Sequence, residues 1–160
     1  MGNKIALVTG ASDGIGLEFG DILAAQGYDL VLVARREDKL NEVSEKLSQT
    51  YDINCTVMAT DLSEPQAAQT LFQRTCDQNL QIDFLVNNAG LLHNGFFTEL
   101  SLAEQERMII VNVLALTSLS HLYANDMASR KKGHILNVAS LAAWMAIPNQ
   151  NVYAATKAYV

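Results

Sequence analysis

The sequence has few of the features that characterise secreted, membrane-bound or nucleic-acid-binding proteins. Its two cysteines, Cys55 and Cys76, form no cluster with metal-ligand spacing, which favours a reduced, cytoplasmic protein without a metal site. Apolar runs are short and no signal-peptide pattern precedes them, so neither export nor a membrane span is expected. Acidic side chains outnumber basic ones by 17 to 11, and the net charge of -6 disfavours nucleic acid or an anionic membrane as a partner.

The composition is that of a folded domain. Apolar residues make up 49% and charged residues 18% of the 160 residues, a balance that excludes a disordered or fibrous chain. No linker, repeat or low-complexity stretch interrupts the sequence. We therefore expect a single domain over residues 1–160, long enough to bury a core.

Short apolar runs alternate with segments of helical periodicity along the chain. The runs predict strands over 5–8, 30–34, 55–59, 84–86 and 135–138, and the periodic segments predict helices over 15–26, 37–50, 101–130 and from 153 onward. Ser63 and Gln66 have capping-box spacing, which predicts a further helix that ends near Cys76. Ser101 and Glu104 repeat this spacing before the long helix. Strands alternating with helices indicate an α/β fold with a doubly wound parallel sheet.

A glycine-rich turn joins the first predicted strand to the first predicted helix. It reads Thr9-Gly10-Ala11-Ser12-Asp13-Gly14-Ile15-Gly16. Glycine is needed where the backbone turns tightly, where it approaches a pyrophosphate, and where a helix packs closely on a strand, while the start of a helix offers N–H groups to phosphates. The alternative is a turn whose glycines are purely structural. On the first interpretation, the residues that bind a dinucleotide here are Gly10, Ser12, Asp13, Gly14, Ile15 and Gly16.

The end of the second predicted strand indicates which dinucleotide would bind. An acidic residue at this place usually accepts hydrogen bonds from the ribose hydroxyls of NAD. Here the strand ends Val33-Ala34-Arg35-Arg36. Arg35 can pair with a 2′-phosphate through its planar guanidinium, and Arg36 can stack on adenine, so NADP(H) is preferred over NAD(H). The alternative is two solvated arginines at the start of a helix.

Two further segments follow strands whose carboxyl ends should line the same crevice. Asp61-Leu62 follows the third strand, and Asn87-Asn88-Ala89-Gly90 follows the fourth. Asp61 can accept a hydrogen bond from the adenine amino group, although it is equally suited to capping the next helix. For the other positions a structural turn is the alternative. The residues expected beside the cofactor are Asp61, Leu62, Asn88, Ala89 and Gly90.

Ser140, Tyr153 and Lys157 have the chemistry of carbonyl reduction. Tyr153 and Lys157 share a helical face because they are four residues apart, although an exposed helical pair has the same spacing. A phenol can protonate a carbonyl oxygen that accepts hydride. A lysine cation about 4 Å away contributes about 4 kcal/mol, which lowers a tyrosine pKa from about 10 to about 7. Ser140 would hold the carbonyl oxygen; no nucleophile-elbow motif suggests that it acts as a covalent nucleophile.

Together these motifs resemble those of the short-chain dehydrogenase/reductase family, in the branch with a T-G-x-x-x-G-x-G glycine motif. The matches run in order from Thr9-Gly10 through Asp61, the Asn-Asn-Ala-Gly segment, Asn112, Ser140, Tyr153 and Lys157. The resemblance implies a Rossmann-type fold and hydride transfer between NADP(H) and a carbonyl or alcohol substrate, with Tyr153 as general acid/base. It implies that Asn112 holds a water in a proton relay to Lys157, in a helix that bends there. Tyr153 and Lys157 would also contact the cofactor, and Arg35 resembles the basic residue of NADP-preferring members.

The resemblance also indicates what is missing. Family members continue after the tyrosine–lysine helix with two more strands and the rest of the substrate pocket. The chain is therefore expected to be truncated at its C-terminus, with its fifth strand as an exposed edge. Its substrate is not identified, and a homo-oligomer is expected only for a longer chain. The rival hypothesis is a non-catalytic nucleotide-binding fragment.

Overall fold

Short apolar runs form the strands because helices cover both faces of the sheet. The computed structural model describes residues 3–160. Its strands are β1 (Ile5–Thr9), β2 (Asp29–Val33), β3 (Cys55–Val57), β4 (Ile82–Asn87) and β5 (His134–Asn137). All pair in parallel, in the order β3-β2-β1-β4-β5. This sheet confirms the doubly wound α/β fold.

Helices connect the strands in chain order. They are α1 (Gly14–Ala25), α2 (Glu37–Tyr51), α3 (Ala67–Asp77), α4 (Leu102–Ile109), α5 (Leu116–Ser129) and α6 (Asn151–Tyr159). A π-helical segment, Ile110–Ala115, joins α4 to α5, and a 3₁₀ turn, Leu141–Ala143, precedes α6. The predicted helices are all present, whereas the π-helical segment and the 3₁₀ turn have no counterpart among the predictions.

The sheet separates two apolar layers. One face packs against α3 and α5, and the other packs against α1 and α2. Leu7 belongs to the first layer and its neighbour Val8 to the second, and both are fully buried. Since successive side chains of a strand point to opposite faces, β1 is covered on both sides, as its continuous apolar run predicted.

The strand order creates a crevice at one end of the sheet. From β1 the sheet grows through β2 and β3 on one side, and through β4 and β5 on the other. In open α/β sheets, ligands bind outside the carboxyl ends of the strands at the place where this direction reverses. That place lies between β1 and β4, so the glycine turn that follows β1 and the Asn-Asn-Ala-Gly segment at the end of β4 meet there.

The start of α3 differs from the prediction. The capping box expected from Ser63 and Gln66 is not formed, and α3 begins at Ala67. The Ser63 hydroxyl donates instead to Oδ1 of Asp61 at 2.6 Å, and its oxygen accepts from Arg107 Nε at 3.1 Å rather than from a helix amide. Gln66 has a left-handed backbone, with φ of 60°, and its side chain makes no cap. The local turn around Asp61 therefore replaces the first turn of the predicted helix.

The segments α4, Ile110–Ala115 and α5 form one continuous helix of 28 residues, Leu102–Ser129. Ser101 and Glu104 begin it with the predicted capping box. By length and composition alone this helix could cross a membrane, which the lengths of the apolar runs did not indicate. Asn112 interrupts the apolar run in the sequence but lies inside the helix. In the fold the helix packs on the sheet, with Tyr123 in the core.

The last strand, β5, is an edge of the sheet, as expected. It pairs with β4 on one side, and within residues 3–160 no strand pairs with its other side. Ile135 and Leu136 are half-buried, while His134 and Asn137 are exposed. An unpaired edge of this kind presents N–H and C=O groups that another strand can pair with.

Asp83 lies in β4 near the end of the sheet opposite the crevice and couples stability to pH. Its carboxylate accepts a hydrogen bond from the Ile5 amide at 3.1 Å and pairs with the Lys132 amine at 2.8 Å. Burial acts to raise the pKa of Asp83, but these contacts, with Arg130 nearby, outweigh burial and lower it. The carboxylate therefore stabilises the fold above its ordinary pKa of about 4, and this contribution is lost as the pH falls through the lowered pKa.

Replacing Asp83 with asparagine is expected to lower the free energy of unfolding by about 2 kcal/mol at neutral pH, because hydrogen bonds to a charged group are lost. Urea unfolding at neutral pH and at about pH 3 measures this difference, which should shrink in acid. Glu106→Gln, at an exposed position of α4, is the control and should unfold like the wild-type protein. An equal loss for Asp83→Asn at both pH values would contradict the role assigned to the charge.

Candidate functional site

A cleft of about 350 Å³ lies at the carboxyl ends of the strands, where the crevice was expected. It is bordered by the glycine turn, the ends of β2 and β3, and the segment after β4. Most of the predicted cofactor-binding residues line it: Gly10, Ser12, Asp13, Gly14, Ile15, Arg35, Arg36, Asp61, Leu62, Asn88, Ala89 and Gly90. Gly16, Tyr153 and Lys157 are not part of this lining. The structure thus brings four separate sequence segments together around one cleft.

The glycine turn is shaped by close backbone packing. Gly10 has a φ of +68°, a conformation that side chains rarely allow. At Gly16 an added Cβ would lie 2.1 Å from the Gly10 carbonyl oxygen, so only glycine fits. Asp13 precedes α1 but its side chain makes no cap hydrogen bond. The N–H groups at the start of α1 therefore have no side-chain partner from Asp13 and can receive a phosphate.

Thr9, whose role the motif did not reveal, ties this turn to the segment after β4. Its hydroxyl donates to the Val86 carbonyl at 3.2 Å and accepts from the backbone amides of Asn88 and Ala89 at 3.0 Å each. The Asn88 side-chain amide donates in turn to the Thr9 carbonyl at 3.0 Å. Asn88 therefore lines the cleft while holding its two walls together.

The Asp61 carboxylate is held by two side chains. Its Oδ1 accepts from the amide and hydroxyl of Ser63, at 2.9 and 2.6 Å, and its Oδ2 accepts from Arg107 Nη2 at 2.9 Å. Arg107 Nε also donates to the Ser63 hydroxyl oxygen at 3.1 Å. Each carboxylate oxygen can accept about two hydrogen bonds, so Oδ2 keeps capacity for a further donor such as an adenine amino group.

The pKa of Asp61 is lowered, which keeps its carboxylate an ionised hydrogen-bond acceptor. Burial acts to raise this pKa, whereas the hydrogen bonds from Ser63 act to lower it. The charges of Arg107 and Arg35 lower the pKa further. Sequence reasoning missed Arg107 and Ser63 at this site, because Arg107 lies 46 residues from Asp61 and no local pattern links them.

The two arginines after β2 have different surroundings. Arg36 forms an ion pair with Asp13, across the gap between the glycine turn and the start of α2. Arg35 is exposed and, among the described residues, forms no ion pair, although its charge is close enough to influence Asp61. Arg35 is therefore free to receive an anion, whereas Arg36 already holds one.

Lys157 is buried beside the cleft. Its side chain is 6% exposed, and its Nζ donates to the Val138 carbonyl at 2.7 Å. Burial lowers the pKa of this amine. Its Nζ lies 3.5 Å from the position of a Cβ built on Gly90, which lines the cleft. One hydrogen bond uses part of the donor capacity of an ammonium group, so Lys157 retains N–H groups for further partners.

Asn112 lies in the π-helical segment and is 1% exposed. Its Oδ1 accepts from the Leu91 amide at 2.8 Å, and its Nδ2 donates to the Leu91 carbonyl and to the Thr156 hydroxyl, both at 2.9 Å. The side chain thus joins the segment after β4 to α6. A π-helical segment inside an α-helix is a local irregularity that frequently occurs at functional sites.

Ser140 and Tyr153 lie on neighbouring elements. Ser140 begins the 3₁₀ turn and accepts a hydrogen bond from the Ala142 amide at 3.2 Å, and this turn packs against α6. Tyr153 is half-buried on α6, and its carbonyl accepts from the Thr156 hydroxyl at 2.7 Å. In the described part of the chain no hydrogen bond joins Ser140 to Tyr153. Within the same residues, no group of histidine, cysteine or acidic side chains could hold a metal ion.

Known proteins resemble this chain over nearly all of its length. Residues 4–160 match the family model described as short chain dehydrogenase. The chain is 33% identical over 159 residues to a very-long-chain 3-oxoacyl-CoA reductase of Mus musculus, covering 97% of this chain and 50% of the mouse protein. It is 33% identical over 158 residues to an uncharacterised oxidoreductase of Staphylococcus saprophyticus, covering 99% of this chain and 68% of that protein. The chain spans about half the length of the mouse protein and more of the bacterial one.

Solved structures resemble the fold equally well. A short-chain dehydrogenase from Sphingobium yanoikuyae in complex with NADPH superposes with a TM-score of 0.92 at 32% identity, covering 98% of this chain and 61% of that one. An L-sorbose reductase from Gluconobacter frateurii, complexed with NADPH and L-sorbose, also has a TM-score of 0.92, at 29% identity, and covers 99% and 60% of the two chains.

Proposed function

The chain belongs to the short-chain dehydrogenase family. We propose that it is part of an oxidoreductase that transfers hydride between NADP(H) and a carbonyl/alcohol pair. One observation carries this proposal. Gly90 lines the cleft and also lies next to the Lys157 amine, so the cofactor cleft meets the residues suited to proton transfer. We assign the rest of the substrate pocket to a longer protein, because this chain covers 50% of the length of several relatives.

The residues present fit a nicotinamide dinucleotide. The absence of a side chain at Gly16 lets the glycine turn lie close to α1, and the uncapped start of α1 suits a pyrophosphate. Asp61 keeps an acceptor for the adenine amino group, and Arg35, which lines the cleft, would bind a 2′-phosphate. Bound NADP(H) would supply or accept the hydride.

The protein's own part in the chemistry is proton transfer and orientation. Tyr153 would donate a proton to the carbonyl oxygen from its phenol, and Ser140 would hold that oxygen through its hydroxyl. The Lys157 cation would stabilise the tyrosinate, and its remaining N–H groups would bind the ribose. Asn112 would hold α6 in place through Thr156, since its side-chain amide already bonds that hydroxyl.

Thermal unfolding with and without NADPH tests the cofactor part of this proposal. A ligand present at 100 times its dissociation constant stabilises the native state by about 2.7 kcal/mol, which raises the melting temperature of a chain of this size by roughly 5–10 °C. NADH at the same concentration should give a smaller shift, because it lacks the 2′-phosphate that Arg35 would bind. No shift with NADPH would contradict the proposed function, and equal shifts would contradict only the preference for NADP(H).

The second candidate function is a nucleotide-binding domain without catalysis. It is favoured by the fraction of the relatives that the chain covers, 50% for the mouse reductase. Carbonyl-dependent oxidation of NADPH by this chain separates the two candidates. Activity would exclude the second, whereas NADPH binding without activity across a panel of ketones would favour it.

A further inference from the structure

The ion pair between Asp13 and Arg36 lies across the cofactor cleft. Asp13 lies in the glycine turn, Arg36 is the residue that precedes α2, and both line the cleft. The two side chains are 73% and 55% exposed, so solvent and ligands can reach them. The pair therefore joins two segments that a dinucleotide would have to contact.

An anionic ligand would compete with Asp13 for Arg36. A phosphate monoester such as the 2′-phosphate carries a charge of about −1.5 to −2 at neutral pH. To donate to this phosphate, Arg36 must break its ion pair with Asp13. If the ion pair persists, the phosphate lies near the Asp13 carboxylate, which carries a charge of the same sign. Arg35, its neighbour, has no such acidic partner within residues 3–160, which leaves it as the direct phosphate ligand.

We propose that Asp13 is a specificity-determining residue that weakens the preference for NADP(H) by holding Arg36 as an internal counter-ion. This inference rests on the proposed function, because it concerns the 2′-phosphate of the cofactor proposed there. Asp13 thus has a role different from the one that its place in the glycine turn suggests. Its side chain does not cap α1. Its carboxylate competes with the 2′-phosphate, the group that distinguishes NADP(H) from NAD(H), for Arg36.

Asp13→Asn isolates this effect because asparagine has the same shape and is as good an N-cap as aspartate. Releasing Arg36 from an exposed ion pair should tighten NADPH binding about fivefold, the change that corresponds to about 1 kcal/mol. NADH binding should change less than about twofold. The gain should decrease as salt is added, because exposed charges are screened.

Titration calorimetry of the 160-residue chain measures both dissociation constants. Glu18→Gln, an exposed position on α1 outside the cleft, removes the same charge and is the control for the effect of net charge. Arg36→Gln should weaken NADPH binding, and in that background Asp13→Asn should improve it by less than about twofold. Melting curves confirm that each variant is folded.

The outcomes separate this inference from the proposed function. Tighter NADPH binding by Asp13→Asn that disappears in the Arg36→Gln background supports the inference about Asp13. Unchanged or weaker NADPH binding by Asp13→Asn overturns it, while NADPH binding by the wild-type chain leaves the proposed function intact. A gain that persists without Arg36 also overturns it, because Asp13 would then act on the phosphate directly. Failure of wild-type and variants alike to bind NADPH overturns both.

Discussion

Replacing Gly16 with alanine is expected to destabilise the chain by about 3 kcal/mol and to weaken NADPH binding by at least about tenfold. The new Cβ would lie 2.1 Å from the Gly10 carbonyl oxygen and 2.5 Å from Nδ2 of Asn88. The first neighbour is backbone, so the glycine turn itself must move away from α1. The same turn is proposed to bind the pyrophosphate, which is why stability and cofactor affinity should fall together. Urea unfolding and titration calorimetry measure the two effects.

Gly20→Ala on the same helix is the matched control. Its Cβ would meet only the side chains of Leu47, Leu32 and Leu30, at 3.5, 3.8 and 3.9 Å, which are ordinary contacts. Alanine is a better helix former than glycine by about 1 kcal/mol, so this variant should be as stable as the wild-type protein or slightly more stable. If Gly16→Ala melted like Gly20→Ala, the close approach of α1 to the glycine turn would not be what requires glycine at position 16.

Features encoded by neighbouring residues could be predicted from the sequence. The adjacent Leu7 and Val8 are both fully buried, so an uninterrupted apolar run correctly indicated a strand covered on both faces. Ser101 and Glu104 form their capping box, in which the serine oxygen accepts from the Glu104 amide and the Glu104 carboxylate accepts from the Ser101 amide. The glycine turn could be recognised because the contact that requires glycine at position 16, with the Gly10 carbonyl oxygen, acts within a few residues.

The failures have equally specific causes. Ser63 has the same spacing to Gln66 as Ser101 has to Glu104, but Gln66 has a left-handed backbone and the Ser63 oxygen accepts from Arg107. Whether a serine caps a helix thus depends on the backbone that follows it and on which donor its oxygen accepts from, and spacing alone does not decide this. The partner of Asp61 on α4 lies 46 residues away, and the partner of Arg36 lies 23 residues away. Such contacts depend on how the elements pack, which no local pattern encodes.

Asn112 shows what the residues alone left open. An asparagine in a long helix is usually solvated or a packing residue, and only the resemblance to a family gave it a role. In the structure it is buried, and its amide makes hydrogen bonds to Leu91 and Thr156. Its side chain therefore links the segment after β4 to α6. The water that the resemblance assigns to Asn112, like the catalytic roles of Ser140 and Tyr153, stays a prediction.

In a longer protein that carries the rest of the substrate pocket, Tyr153→Phe is expected to lower carbonyl-dependent NADPH oxidation about 1,000-fold, because the proton donor is removed while the ring is kept. NADPH affinity should change by no more than about fivefold, the value of one neutral hydrogen bond. The chain offers a matched control on the same helix, Tyr159→Phe. The Tyr159 hydroxyl is 2.7 Å from the Thr117 hydroxyl and its side chain is exposed, so this variant should retain activity.

Comparing these variants with Lys157→Met assigns the roles of the two side chains on α6. The Lys157 amine is proposed to act on both Tyr153 and the cofactor ribose, so its loss should lower turnover and NADPH affinity together. Loss of Tyr153 should lower turnover almost alone. Steady-state rates with a reducible ketone and calorimetric NADPH binding, measured on the same preparations, give both quantities. If Tyr153→Phe kept most of the wild-type rate, the proton would have to come from another group, and the proposed mechanism would fail even though the cofactor site stood.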